Sequence, residues 1–173
     1  MMADSFAHCG FCGTEFSPDQ PVFARVCANC GCTSYRNPLP VAVTLVPVKL
    51  ERRENLGLLV IRRSIPPREG QLALPGGFIS YGESWQAGAV REVREETGLK
   101  LEADSIRLTR VLSASDSTIL IFGIAPVQAA NVLEGLTISS ETSEVTVLEA
   151  FAPLAFPLHT QVAQEFFNGV FQS

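Results

Sequence analysis

The alternation of apolar and polar positions divides most of the chain into short strands. VAVTLVPV (41–48) and LGLLVIRR (56–63) are rich in branched apolar residues and flank a charged turn, which predicts two strands. IRLTRVLSA (106–114), STILIFGIAPV (117–127) and EVTVLEAF (144–151) predict further strands. The middle run of these three is almost wholly apolar, so we expect a central strand with neighbours on both sides.

Two segments have helical patterns. Residues 84–97 form the strongest one, with Ser84 placed to cap the N-terminus and Gly98 to end the helix in a left-handed conformation. Residues 159–171 predict an amphipathic terminal helix whose apolar positions are spaced by four: Val162, Phe166 and Val170.

The order of these elements predicts an α/β fold. LALPGGFI (72–79) begins as a strand and breaks at Pro75, Gly76 and Gly77, directly before the helix of residues 84–97. Strands on both sides of one helix, followed by a closing helix, indicate a sandwich with a mixed sheet.

Composition and charge narrow the class of protein. The chain has 173 residues, a net charge of −5 and no basic run, which argues against nucleic acid as a partner. Long apolar stretches without charges are absent from the sequence, so we expect no membrane span. MMADSFAHCG has no basic lead or apolar core, which predicts a protein of the reducing cytoplasm.

The five cysteines all lie in the first 32 residues. Four of them follow the spacing C-x2-C-x14-C-x2-C: Cys9, Cys12, Cys27 and Cys30. Two such pairs bring four thiolates together around a structural Zn2+, whereas a pair of disulfides needs an oxidising compartment. Cys32 either replaces Cys30 as a ligand or remains a free thiol, and the regular pairing favours the free thiol.

A proline-containing linker separates this cysteine module from the rest. YRNPLP (35–40) is stiff, since the residue before each proline is driven towards an extended conformation. We therefore predict a zinc ribbon at residues 1–36 and a second domain at residues 37–173. Metal binding supplies most of the folding free energy of so small a ribbon.

The helix of residues 84–97 concentrates charge on one face. Glu92, Glu95 and Glu96 stand at i, i+3 and i+4, so their carboxylates form one stripe beside the glycine turn. Like charges at that spacing repel one another, and hard cations such as Mg2+ prefer oxygen ligands. On helix pattern alone, a solvated face with a pair such as Arg91 with Glu95 is the more ordinary interpretation.

A longer pattern reverses that preference. From Gly77 the chain reads G-x5-E-x7-R-E-V-x-E-E-x-G-L, which fixes nine positions: Gly77, Glu83, Arg91, Glu92, Val93, Glu95, Glu96, Gly98 and Leu99. It resembles the Nudix box, the signature of hydrolases that cleave nucleoside diphosphates linked to another group. Every fixed position of that motif is filled.

The resemblance implies an α/β/α sandwich in which the box surrounds a Mg2+ or Mn2+ site. Glu92, Glu95 and Glu96 would be metal ligands together with the Gly77 carbonyl. Glu83 and Arg91 would orient these ligands. The expected substrate is a small nucleotide, and the expected reaction is hydrolysis of its pyrophosphate linkage.

The cysteine module followed by YRNP is similar to the zinc-ribbon Nudix enzymes, which act on NADH, FAD or ADP-ribose. NADH pyrophosphatases carry an SQPWPFP-type motif after the box, and this sequence has no such motif. LAFPLH (154–159) is closer to the tail of the shorter enzymes, which favours FAD or ADP-ribose over NADH. The resemblance further suggests that the ribbon is structural and contributes to a homodimer.

Several residues outside the charged stripe are candidates for substrate contacts. Arg62 and Arg63 end a strand near the glycine turn and could pair with phosphates, although solvent-exposed charges at a strand end are equally ordinary. Gly76 leaves room for a close approach of phosphate. The catalytic base could be Glu96 or Glu95, or come from a later loop that contains Glu141 and Glu144, where a solvated carboxylate is at least as ordinary.

The alternative to an enzyme is a Nudix-fold binding or regulatory protein that senses a nucleotide without cleaving it. Such a protein would be expected to lose glutamates of the box, and this sequence keeps all of them.

Overall fold

The computed structural model describes residues 6–21, 23–50 and 55–171, and within them lie ten strands and two α-helices. The elements are β1 Arg25–Val26, β2 Thr33–Ser34, β3 Leu39–Leu45, β4 Pro47–Lys49, β5 Leu56–Arg63, β6 Leu72–Ala73, β7 Gly76–Phe78, α1 Trp85–Thr97, β8 Arg107–Ser113, β9 Thr118–Ile124, β10 Thr142–Leu148 and α2 Pro157–Phe167. Two short 3-10 helices occupy Ala103–Ser105 and Ala130–Gly135.

The chain divides into two units, Met1–Pro38 and Leu39–Ser173. The boundary lies two residues after the one expected from the sequence. The assignment of residues 1–36 and 37–173 as separate domains stays a prediction.

Two equivalent cysteine turns build the first unit. Gly13 and Gly31 follow the second cysteine of each pair, have φ angles of 75° and 72°, and donate N–H hydrogen bonds back to the carbonyls of Cys9 and Cys27. A residue with a Cβ adopts such positive φ angles only with strain, which explains why each pair continues into glycine. The antiparallel strands β1 and β2 complete the unit.

Two four-stranded sheets form the second unit. One has the order β10-β5-β4, with β6 also paired to β5, and all of its pairs are antiparallel. The other has the order β7-β3-β9-β8, in which β3 and β9 are parallel and the remaining pairs antiparallel. The predicted mixed sheet is confirmed, and so is a central position for β9.

The two helices cover opposite faces of these sheets. Leu58 and Val60 of β5 belong to one buried cluster with Phe166 of α2, whereas Leu59 belongs to another with Val93 of α1. This alternation follows from the two-residue period of a strand. The result is the predicted α/β/α sandwich.

The run VAVTLVPV does not form one strand. β3 ends at Leu45 and β4 begins at Pro47, and the two belong to different sheets. Val46, between them, is fully buried. The chain therefore passes from one sheet to the other inside the core, which periodicity over eight residues could not indicate.

The caps of α1 agree with the sequence prediction. The Ser84 hydroxyl accepts a hydrogen bond from the Ala87 N–H, and Gly98 ends the helix at φ 76°. A Cβ at Gly98 would also lie 2.5 Å from the Thr137 hydroxyl, so both conformation and space require glycine there.

The terminal helix is displaced from its predicted bounds of 159–171. It begins at Pro157, which suits a first turn because its missing N–H would have no partner there. It ends at Phe167, two residues before Gly169 with φ 78°. Val162 and Phe166 are buried as predicted, but Val170 lies beyond the helix and is exposed.

Candidate active site

A cleft of about 620 Å3 lies where the N-terminal glycine turn of β7 faces α1. Six of its lining residues belong to the candidates from the sequence and carry charge: Arg63, Arg91, Glu92, Glu95, Glu96 and Glu141. Gly76 and Gly77 line it as well. The structure therefore brings the helical carboxylates, the glycine turn and one residue of the later loop to one place.

Glu96 is the most enclosed of the three helical carboxylates, with 6% of its surface exposed. Its Oε2 accepts a hydrogen bond from the Gly76 N–H at 2.9 Å. Burial raises the pKa of Glu96 to about 8, because a charged carboxylate loses its hydration there. The negative charge of Glu92 adds to this rise in pKa.

Glu92 lies directly against the backbone of the glycine turn. A Cβ at Gly77 would lie 2.5 Å from the carboxyl carbon of Glu92, so a side chain at this position would displace the carboxylate. Gly76 is similarly confined, because a Cβ there would clash with the Ala42 carbonyl oxygen and lie 2.8 Å from the Val43 Cα. Burial also raises the pKa of Glu92, although the nearby Arg91 opposes the rise.

Arg91 joins the carboxylates of the cleft through its guanidinium group. Nη1 contacts Oε1 of Glu92 at 2.6 Å and Oε2 of Glu95 at 3.1 Å. Nη2 donates to the Phe78 carbonyl at 2.9 Å, which ties α1 to β7. Nε and Nη2 both donate to Glu83, and this pairing lowers the pKa of Glu83.

The opposite side of the cleft is built from the end of β5 and two loops. Arg63 donates from Nε to the Pro67 carbonyl at 2.9 Å, so its guanidinium group braces the loop that follows β5. Ser64 binds the loop before β10, since its N–H donates to the Glu141 carbonyl at 2.9 Å and its hydroxyl to the Ser140 carbonyl at 2.7 Å. These bonds place Glu141 at the cleft.

Arg62 and Glu144 lie outside the lining of the cleft. They are opposite each other on β5 and β10, and Arg62 Nε contacts Glu144 Oε2 at 2.6 Å. Arg62 also donates to the Gly70 carbonyl at 2.9 Å. Adjacent residues of a strand point to opposite faces, so Arg62 and Arg63 could not both face the cleft.

Some lining residues were not singled out from the sequence: Ile65, Pro66, Pro67, Phe78, Ser80, Ser139 and Ser140. Phe78 and Ser80 lie in the five-residue gap between Gly77 and Glu83 of the charged motif, where the pattern leaves the residue types free. The others lie in segments recognisable from the sequence only as loops, so no local signal connected them to the glycine turn.

The charges lining the cleft favour a cation. Among the described lining residues, the four carboxylates of Glu92, Glu95, Glu96 and Glu141 outnumber the two guanidinium groups of Arg63 and Arg91. Carboxylate oxygens are the ligands that Mg2+ and Mn2+ prefer. The donor set therefore fits a hard divalent cation.

The four predicted zinc ligands also lie together, within the first unit. The sulfur atoms of Cys9, Cys12, Cys27 and Cys30 are all within 4.8 Å of one another. Cys9–Cys30 and Cys12–Cys27 have S–S distances of 3.7 and 3.5 Å, close to the roughly 3.8 Å edge of a tetrahedron with Zn–S bonds of about 2.3 Å. A hydrogen bond with the Thr14 hydroxyl lowers the pKa of Cys12 to about 5, whereas burial and the neighbouring thiols raise the pKa of Cys30 above its usual range.

In the part of the chain that the structure describes, neither α-helix combines the length and the apolar character that spanning a bilayer requires.

Comparison with known proteins identifies the family. Residues 38–165 match the family model described as NUDIX domain. Curated relatives named NAD-capped RNA hydrolase NudC, from Salmonella typhi and Shigella flexneri, are 31% and 29% identical to this chain over 98 residues. Each alignment covers 57% of this chain and 35% of the relative, so the matched part is about a third of the relative's length.

Solved structures share the fold. A NUDIX hydrolase from Nitrosomonas europaea superposes with a TM-score of 0.75 at 23% identity and covers 96% of this chain and 93% of its own. The NUDIX domain of Shewanella oneidensis NrtR, complexed with ADP ribose, has a TM-score of 0.65 at 20% identity and covers 79% of this chain and 90% of its own. With the family model matching most of the chain and five of the nine fixed box positions lining the cleft, the chain belongs to the Nudix hydrolase family.

Proposed function

We propose that the protein is a metal-dependent hydrolase that cleaves the pyrophosphate linkage of a nucleoside diphosphate derivative. The observation that carries this proposal is the face of α1, where three carboxylates line the cleft together with the glycine turn. Two of them, Glu92 and Glu96, have pKa values raised by burial. Burial raises these pKa values by removing hydration from the charged carboxylates, and a divalent metal bound among them would stabilise the charged form.

In this proposal Glu92, Glu95, Glu96 and the Gly77 carbonyl hold Mg2+ or Mn2+. When bound, the metal would neutralise the diphosphate and lower the pKa of a water molecule. Arg91 holds Glu92 and Glu95 in place through its guanidinium group. Because the lining is otherwise rich in carboxylates, an anionic substrate would be repelled from the cleft without the metal.

Two groups of carboxylates are candidates for accepting the proton of the attacking water. Glu95 is the more exposed one on α1, whereas Glu96 is already bonded to the Gly76 N–H. Glu141 lines the cleft from the opposite loop. Glu144 is a weaker candidate because it pairs with Arg62.

We propose FAD or ADP-ribose as the substrate, in preference to NADH. The support comes from the sequence, which has the tail LAFPLH and no SQPWPFP-type motif. The name of the NudC relatives adds NAD-capped RNA to the compounds that need testing. The low content of basic residues in the chain argues against that larger substrate.

The test is hydrolysis by the purified chain with Mg2+ or Mn2+. FAD, ADP-ribose, NADH and NAD-capped RNA are supplied separately, and products are identified by chromatography and mass spectrometry. We expect FAD or ADP-ribose to yield two phosphate-bearing products. We also expect Glu96→Gln to lose about 100-fold in kcat, the upper end of the effect expected when even a group that only orients a metal ligand is removed. Glu102→Gln, an exposed carboxylate outside the cleft, is the matched control.

Tight binding of one of these nucleotides without turnover by the parent protein would favour the sensing alternative. Turnover by Glu96→Gln equal to that of the parent would reject the assigned metal site. A homodimer, structural zinc in the ribbon and a cytoplasmic location belong to the same proposal. Sedimentation, metal analysis and fractionation of cells test these three in turn.

A further inference from the structure

A histidine far along the chain contacts the backbone that leads into the glycine turn. His159 lies in α2 with 6% of its surface exposed, and its Nδ1 accepts a hydrogen bond from the Leu74 N–H at 3.3 Å. Leu74 precedes Gly76 by two residues, and the Gly76 N–H donates to Glu96 at 2.9 Å. Two hydrogen bonds therefore connect α2 to the most buried carboxylate of the cleft through one short segment.

That segment crosses from one sheet to the other, between the pairing of β6 with β5 and the pairing of β7 with β3. β6 ends at Ala73 in one sheet and β7 begins at Gly76 in the other. Pro75, in the middle, has no N–H to donate, and its carbonyl accepts from the Thr44 N–H at 2.9 Å. The Leu74 N–H is buried at the crossing, and a buried donor without an acceptor is destabilising. His159 supplies that acceptor.

The surroundings of His159 keep its ring fixed and neutral. The Phe122 ring meets it edge-on with centroids 5.8 Å apart, and the Phe156 ring lies 5.1 Å away. Burial lowers the pKa of His159 to about 3. The neutral ring that accepts at Nδ1 carries its proton on Nε2.

The start of α2 also supports the other side of the cleft. The guanidinium carbon of Arg63 lies 5.3 Å from the centroid of the Phe156 ring. Arg63 in turn donates to the carbonyls of the loop that lines the cleft, at Ile65 and Pro67. His159 and Phe156 thus contact residues that lead to opposite walls of the same site.

We propose that His159 is a positioning residue for the glycine turn. By accepting from the Leu74 N–H, it sets the position of the Gly76 N–H, which orients the carboxylate of Glu96. His159 is not among the residues that line the cleft, so it acts through the backbone and not on the substrate. The kinetic part of this inference depends on the proposed hydrolase function.

Three variants separate the hydrogen bond from packing. His159→Leu fills space without an acceptor, whereas His159→Asn places an amide oxygen near the position of Nδ1. Val162→Ala removes buried volume from the same helix and leaves the hydrogen bond intact. We expect His159→Leu to lower kcat by roughly tenfold or more with KM little changed, as for other residues that orient metal ligands. We expect His159→Asn to keep most of the parent's kcat. We expect Val162→Ala to lose thermal stability while its kcat stays near that of the parent.

Nuclear magnetic resonance gives a readout that does not need turnover. In the parent protein, we expect Nδ1 of His159 to be unprotonated and Nε2 to carry the proton at pH 7. The Gly76 amide signal should move in His159→Leu and stay near its parent position in His159→Asn. These measurements use metal-free and metal-bound protein without substrate, so failure of the proposed reaction would not hide their result.

Each outcome decides the inference. A protonated Nδ1 in the parent would overturn it even if every variant failed to fold. Equal loss of kcat in His159→Leu and His159→Asn, with the Gly76 signal unmoved, would show a packing role alone. An inactive parent with the expected Nδ1 state and Gly76 shifts would reject the hydrolase proposal while supporting the contact that positions the turn.

Discussion

Arg91 makes two parallel hydrogen bonds to Glu83: Nε donates to Oε1 at 2.9 Å and Nη2 donates to Oε2 at 3.0 Å. The Ser80 N–H also donates to Glu83 at 3.0 Å, so the carboxylate is held from the loop as well. Only a planar guanidinium can make this pair and still reach Glu92 and Glu95. Arg91 therefore connects the loop before α1 to the carboxylates of that helix.

Replacing Arg91 with lysine keeps the charge but removes this geometry. We expect Arg91→Lys to lower kcat/KM by roughly 10- to 100-fold, as for other groups that orient metal ligands, with the fold retained. Arg94→Lys, an exposed position three residues later on the same helix, is the control and should remain near parent activity. Steady-state hydrolysis of the best substrate measures both. Unchanged kinetics in Arg91→Lys would show that charge alone suffices.

Adding one methyl group to the glycine turn should disable the site. The new Cβ in Gly77→Ala would lie 2.5 Å from the Glu92 carboxyl carbon, so that carboxylate must move. A displacement of about 1 Å at a reacting centre can cost roughly 100-fold in rate. Gly135→Ala is the matched control, because a Cβ there meets nothing within 4 Å. Parallel assays and circular dichroism distinguish lost activity from lost folding.

We expect Glu96→Gln to raise the thermal stability of the metal-free protein, although the same substitution abolishes catalysis. The pKa of Glu96 in the folded protein, about 8, lies above the ordinary value of 4.5. Its contribution to stability is therefore fully present below pH 4.5 and is lost as the pH rises through about 8. The variant cannot ionise, so it should unfold at a higher temperature than the parent at pH 8 to 9 without Mg2+ or Mn2+.

Thermal unfolding across this pH range, with zinc retained, tests that expectation. The difference between Glu96→Gln and the parent should shrink towards pH 5 and when Mg2+ is added. A parent that is the more stable protein at pH 9 without divalent metal would contradict the burial of an uncompensated carboxylate.

Zinc in the first unit should depend on Cys12 and not on Cys32. Cys12 lies 3.5 Å from Cys27 within the four-sulfur cluster, whereas Cys32 is outside that set. We expect one zinc per chain in the parent and in Cys32→Ser, and a clear loss in Cys12→Ser. Metal analysis after gel filtration measures this. Equal zinc in all three proteins would reject the assigned ligands.

His159 should make the protein less stable in mild acid. Its pKa is lowered from 6.5 to about 3 by burial, so the unfolded chain takes up the proton first as the pH falls. The contribution of His159 to stability is present above pH 6.5 and declines as the pH falls towards 3, by at most about 1.4 kcal/mol per pH unit.

Chemical denaturation of the parent and His159→Leu between pH 7 and 5 measures this dependence. The variant should show a smaller decline in the free energy of unfolding over that range. An identical decline in both proteins would assign it to other groups.

The sequence determined the parts of this protein that depend on short-range spacing. The stripe of Glu92, Glu95 and Glu96 follows from helical periodicity, and the caps Ser84 and Gly98 follow from the backbone groups that a helix leaves unpaired. The cysteine pairs and their glycines follow equally from local turn geometry.

Tertiary structure decided which distant residues meet. Arg63 lines the cleft and Arg62 does not, because strand pairing with β10 sets which face each residue occupies. The crossing at Val46 lies in the core between the sheets and α1, whereas the contact of His159 with Leu74 depends on how α2 packs on the opposite side. Contacts of this kind join residues far apart in the chain, because their apolar side chains are buried only when the complete core has formed. Local pattern therefore revealed the charged face of α1. Packing alone decided that Arg63 and Glu141 line the other side of the cleft and that His159 contacts the segment before the glycine turn.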